Sequence, residues 1–287
     1  MAPFELVEPR SLRAAIGLLD PEDPSVRAIA GGTAVMLMMK SGVFRPRRLV
    51  SLRAIEARFA GVETGPGGEL RIGALTPLAA LERSAVVRRE WPVIARALRT
   101  LANVRVRNVA TVGGHLAHAD PHMDLPPVLS ALGAHVTIAG PAGERTVPVE
   151  GLSTGYYETV LRRDELITTL IVPAQARRRA AYLKCTTRSA DDWPALGVAV
   201  TLELEGDVIR DAGVVISAAT DRPTRLAAAE AVLRGASVDE GTLARAGDAA
   251  ADGLDIAGDA RGSASYKRQL VRVYVRRAVR AAAESAA

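Results

Sequence analysis

Ala30-Gly31-Gly32-Thr33 and Thr111-Val112-Gly113-Gly114 are the two stretches on which the reading of this chain turns. Each closes a segment with strand character and opens onto apolar residues at helical spacing, such as Val35, Leu37, Met38 and Met39 after the first. Paired glycines let a backbone approach a ligand closely and turn its N–H groups toward an anion. A threonine hydroxyl beside them adds a donor. One such turn is an ordinary tight bend. Two with matching chemistry point to a diphosphate, and so to a dinucleotide.

On either side of these turns the pattern is mixed. Leu12, Ala15, Ile16 and Leu19 behind Ser11 predict a helix over 11–19. Arg27-Ala28-Ile29-Ala30 reads as a short buried strand entering the first turn, and Leu49-Val50-Ser51-Leu52 as another. Leu70-Arg71-Ile72-Gly73-Ala74 alternates as a strand does, with helices expected from Pro77 and over 92–101. Asp124 is placed to cap a helix whose first turn holds Pro126 and Pro127. Strands over 134–139 and 166–172 complete a β/α region. The Arg-rich tract 174–179 reads as a solvated linker and a domain boundary. Beyond it, strands at 181–185, 196–204 and 214–218 precede helices, the last over 263–283. Strands first and helices after describe an α+β domain.

Composition narrows the functional classes. The chain has 287 residues, enough for two domains, and its hydrophobic content of 48% supplies a core. No apolar run is long enough to span a bilayer and the N-terminus has no secretory pattern, so no membrane span and a cytoplasmic location are expected. The net charge of +5 is carried by scattered arginines without interleaved aromatics, which argues against nucleic acid. Cys185 is the only cysteine, so the chain can hold neither an internal disulfide nor a four-thiolate iron–sulfur cluster. Any electrons it moves travel on an organic cofactor.

The segment His115-Leu116-Ala117-His118-Ala119-Asp120-Pro121-His122-Met123-Asp124 is rich in metal-ligand types. Its spacing fits no helical ligand pair, and it follows directly on an anion-suited turn. It is read as a polar loop that bonds a ligand or caps the next helix, and no metal is expected. No nucleophile or carboxylate constellation announces substrate chemistry, so no catalytic residue is assigned. Lys184 is one of only three lysines; a cation beside a flavin would favour its reduced anion, although composition alone favours an ordinary strand lysine. The Rossmann fingerprint is missing, so a dinucleotide would sit on another fold.

These residues resemble the medium, FAD-binding subunit of the molybdenum hydroxylases, the group that includes carbon monoxide dehydrogenase and xanthine dehydrogenase. Ala30-Gly31-Gly32-Thr33 continuing to Met39-Lys40 is similar to that family's first pyrophosphate loop. Asn108-Val109-Ala110-Thr111-Val112-Gly113-Gly114, Ala119-Asp120-Pro121 and Asp124-Leu125-Pro126-Pro127 are similar to its second. Arg188 with Asp192, Tyr266-Lys267-Arg268 and Arg276-Arg277-Ala278 match its C-terminal domain.

The resemblance implies a two-lobed α+β FAD-binding fold of the PCMH type over 1–176, its lobes split near 57–60, and a smaller α+β domain over 177–287. It implies FAD held by Ala30, Gly31, Gly32, Thr33 and Ala34 and by Thr111, Val112, Gly113, Gly114 and His115. Asp124 would take the ribose or adenine end and His118 would lie along the cofactor, with Ile167 and Lys184 lining the flavin. Ala34 replaces the family's usual aspartate or serine, and His115 its usual asparagine. The implied partners are a molybdopterin-bearing large subunit, a small [2Fe-2S] subunit and an external electron acceptor. Two rivals stand beside this electron-transfer reading: an assembly subunit that has lost FAD, and a stand-alone flavin oxidase.

Overall fold

The first lobe is built on a small parallel sheet of β1 (Glu5–Val7), β2 (Val26–Ile29) and β3 (Arg48–Ser51), in the order β1-β3-β2. This is a computed structural model that describes residues 2–176 and 178–285. Parallel strands need crossover connections, and α1 (Leu12–Gly17) and α2 (Thr33–Lys40) lie in them. Ser11 caps α1, its Oγ accepting from the Ala14 N–H at 3.1 Å. Leu12, Ala15, Val26, Val50, Ile55 and Phe59 form this lobe's core, which Ala139 and Leu166 of the next sheet help to close.

The second lobe is an antiparallel sheet of β4 (Val62–Thr64), β5 (Leu70–Gly73), β6 (His135–Gly140), β7 (Gly143–Pro148) and, after the hairpin β8 (Ser153–Gly155) and β9 (Glu158–Thr159), β10 (Leu166–Val172). Its order is β4-β5-β10-β6-β7. β10 buries every second residue, as a strand with one face on a core must. A helical layer covers that face: α3 (Leu78–Arg83), α4 (Ala85–Glu90), α5 (Pro92–Arg99), α6 (Val104–Arg107), α7 (Val112–His118) and α8 (Leu125–Ala131). Trp91 is buried in this layer and its indole N–H donates to the Pro173 carbonyl at 3.1 Å.

The C-terminal region is a sheet of β11 (Arg178–Cys185), β12 (Leu196–Glu205), β13 (Val208–Ser217) and β14 (Thr224–Arg225), backed by α9 (Ala227–Leu233), α10 (Glu240–Ala251) and α11 (Ala264–Glu284). α11 lays Val271, Val275, Ala278 and Ala282 against the sheet, all fully buried. Strands precede helices, as the apolar pattern predicts. The linker reading is corrected at two positions: Arg178 and Arg179 already belong to β11, because their backbones pair with Glu203 and Leu202 of β12, and their side chains bond Asp211 at 3.0 Å and the Ala283 carbonyl. Arg177 lies outside the described residues.

Among the described residues no helix is long and apolar enough to cross a membrane.

Candidate functional site

The structure brings the two glycine turns into contact. A Cβ on Gly31 would lie 2.2 Å from the Val109 carbonyl oxygen and 2.8 Å from the Ala110 Cα, so only glycine lets these backbones meet. Gly32 has φ +75°, the left-handed region that favours glycine, and from it the chain enters α2. A cleft of about 440 Å³ opens where the turns join, lined by Ala30, Gly31, Val109 and Thr111 and by Arg53 and Glu56 from the end of the parallel sheet.

The donors differ between the turns. The N–H groups of Thr33, Ala34 and Val35 begin α2 and find no acceptor among the described residues; no side chain caps this end. In the second turn the Val112 N–H donates to the Thr76 carbonyl at 3.0 Å and that of Gly113 to the Ala74 carbonyl at 2.8 Å. The Gly114 N–H donates to Thr111 Oγ1 at 3.2 Å. The expectation that both turns offer backbone donors is thus corrected for Val112, Gly113 and Gly114. The second turn offers the Thr111 hydroxyl, which accepts from Gly114 and keeps its own O–H to donate. Gly113 is glycine for packing, since a Cβ there would lie 2.6 Å from that of Ala74.

His115, one step along α7, is 8% exposed, and its Nε2 has no hydrogen-bond partner. Burial pushes its pKa down to about 4, with the nearby His118 lowering it further and Asp120 opposing. His115 is therefore neutral at pH 7, with one polar atom facing no partner of its own. His118 ends α7 and packs its ring on Tyr157 at 5.1 Å between centroids. Burial lowers its pKa too, against the pull of Asp120. Ile167 lies on β10, half-buried, opposite Ile138 of β6.

Asp124 and Lys184 form an ion pair at 3.2 Å, both nearly buried. Asp124 does not cap α8: it has helical φ and ψ, and its carboxylate instead accepts from the Tyr182 hydroxyl at 2.5 Å. Burial raises the Asp124 pKa, while Lys184 and Tyr182 restrain it. Lys184 also donates to the Thr100 carbonyl at 2.6 Å and that of Asp192 at 3.0 Å, which uses its three protons. Two residues assigned to opposite ends of one cofactor are thus paired with each other, and their polar atoms are engaged by protein partners. Tyr182 was missed, although it sits two residues before Lys184 and so on the same face of the strand.

The histidine-rich segment is held by its own contacts. His122 bonds Asp120 at 3.0 Å through Nδ1 and Asp259 at 2.9 Å through Nε2, and Asp259 pairs with the buried Lys267 at 2.8 Å. Burial raises the Asp259 pKa, but hydrogen bonds from Lys267, His122 and the Arg261 N–H outweigh it and hold the carboxyl at about 2. Among the described residues no three His, Cys, Asp or Glu side chains converge to hold a metal ion.

Comparison with known proteins matches residues 2–175 to the family described as the FAD binding domain in molybdopterin dehydrogenase. Residues 181–282 match the CO dehydrogenase flavoprotein C-terminal domain. The carbon monoxide dehydrogenase medium chain of Hydrogenophaga pseudoflava is 31% identical over 279 residues, covering 97% of this chain and 96% of the relative. The nicotine 6-hydroxylase medium subunit of Paenarthrobacter nicotinovorans is 31% identical over 271 residues, covering 94% of each. A solved structure of the Hydrogenophaga pseudoflava carbon monoxide dehydrogenase superposes with a TM-score of 0.95 at 33% identity over 100% of both chains.

Proposed function

The chain belongs to the family of FAD-binding medium subunits of molybdenum hydroxylases, and we propose that within such a complex it collects electrons from iron–sulfur clusters of a partner and passes them to an external acceptor. As a family member it is a flavoprotein oxidoreductase subunit. The observation that carries the reading is the joined pair of turns. One presents three uncommitted N–H groups and the other a threonine hydroxyl, beside a buried histidine nitrogen with no partner.

FAD fits these residues. The Thr33, Ala34 and Val35 N–H groups and the Thr111 hydroxyl would hold its diphosphate, in the way helix N-termini bind phosphates. His115, kept neutral by burial, would meet the ligand with Nε2. When bound, the flavin supplies the redox chemistry, and the protein supplies position and electrostatics. The partners belong to the same reading: with a single cysteine this chain can hold no four-thiolate cluster, so the cluster it draws on would sit on a small [2Fe-2S] chain, with the molybdopterin on a large one.

Gly114→Glu tests the cradle. A Cβ at Gly114 meets only Thr111 Oγ1 at 3.0 Å and the Ala30 Cβ at 3.9 Å, so the side chain projects a carboxylate toward the facing turn without breaking the backbone packing. The expected outcome is a folded protein purified without flavin. Full flavin content in that variant would contradict the reading.

A further inference from the structure

Arg53 has no role among the residues that the glycine turns predict. It follows β3, two residues beyond Ser51, and Ser51 is the register partner of Ile29 on β2. Arg53 therefore stands at the carboxyl end of the parallel sheet beside the first turn, where open α/β sheets bind ligands. It lines the same cleft as Ala30, Gly31 and Thr111, its side chain is exposed, and no acceptor engages its guanidinium among the described residues.

The other ionisable group in the cleft is Glu56. Its Oε2 accepts from the Leu12 N–H at 2.8 Å, and Arg58 stands 3.9 Å away. Hydrogen bonds from backbone N–H groups, with Arg58 adding to them, hold its carboxyl below the usual range, so the cleft carries a fixed negative charge. Arg58 is exposed and outside the cleft lining and offsets Glu56 only in part, so an anionic ligand entering there meets residual repulsion that a cation lining the cleft would relieve. Among the residues lining the cleft, Arg53 is the one that carries a positive charge.

We infer that Arg53 is a diphosphate-binding residue: its guanidinium supplies the side-chain charge that completes the backbone donors of α2 and offsets Glu56. The inference rests on the flavoprotein reading above. A planar guanidinium forms two parallel bonds to a phosphoryl group, which an ammonium meets only as a point charge.

The test is equilibrium binding to the full chain stripped of flavin, followed by quenching of flavin fluorescence, with FAD and riboflavin as probes. Riboflavin has the isoalloxazine ring but no phosphate. Arg53→Gln is expected to weaken FAD roughly tenfold and leave riboflavin unchanged, with Arg53→Lys recovering part of the loss. Raising the salt concentration should weaken FAD binding less in Arg53→Gln than in the parent chain. Equal FAD affinity in Arg53→Gln overturns the assignment, and so does an equal loss for both probes. A parent chain that binds no FAD overturns the flavoprotein reading itself, and Arg53's role with it.

Discussion

The two glycine turns share a sequence pattern and differ in what they have left to give. At Ala30-Gly31-Gly32-Thr33 the glycines shape the chain, Gly31 by meeting Val109 and Gly32 by its left-handed φ, while the helix N–H groups beyond them stay uncommitted. At Thr111-Val112-Gly113-Gly114 the N–H groups of Val112, Gly113 and Gly114 are committed to Thr76, Ala74 and Thr111, and the Thr111 hydroxyl remains. The first turn is a donor array and the second is the abutment that holds it. A glycine pair therefore marks a close backbone approach, and only the hydrogen-bond partners show whether a ligand or the chain itself is what comes close.

Gly31→Val attacks the contact that joins the turns. Its branched side chain would drive into the Val109–Ala110 backbone, and overpacking of this kind costs about 3 kcal/mol. Denaturant unfolding should show that loss together with loss of bound flavin. A stable, flavin-replete Gly31→Val would mean that the turns can separate without consequence.

Acid should distinguish the two turns, because only the second is followed directly by a titratable side chain, His115. His115 binds a proton near pH 6.5 when unfolded and only near pH 4 when folded. The unfolded chain thus binds more protons in this window, and the His115 contribution falls as pH drops from 6.5 toward 4, by about 2–3 kcal/mol at the lower end. His115→Asn should remove that part of the acid sensitivity in a pH series of unfolding midpoints. An unchanged series would show that His115 does not titrate in this way.

The remaining contrasts are smaller. Gly32→Ala should cost about 1–2 kcal/mol, because a residue with a Cβ is forced into the left-handed region. Thr111→Ala removes a helix N-cap, worth about 1 kcal/mol, and should weaken FAD binding beyond that loss of stability, since it deletes the hydroxyl the second turn offers. Should Thr111→Ala leave flavin affinity intact, the second turn is purely an abutment.

Much of this architecture was legible in the chain. The segments around β2, β3, β5 and β10 announced themselves by apolar content or alternation, and α11 by its long periodic stripe. Others left little trace: β7 is almost wholly exposed and reads as polar, an edge strand whose pairing comes from its hairpin with β6. In α11 Tyr266, Leu270 and Val273 share one apolar ridge, yet the fully buried ridge is Val271, Val275, Ala278. The site was legible as residue types at the turns. What could not be read was non-local. That the Gly113 N–H is taken by Ala74, or that Asp124 meets Lys184 instead of capping α8, depends on segments that only the fold brings together. Arg53 carried one readable signal, its place just past a strand leading toward the first turn's sheet edge.

The most direct test of the whole account is a crystal structure of the protein with FAD bound. The predicted result is a diphosphate lying between the first turn of α2 and Thr111, bonded to N–H groups among Thr33, Ala34 and Val35. A diphosphate bound elsewhere, for example in the groove beside Arg222 and Arg225, would contradict it.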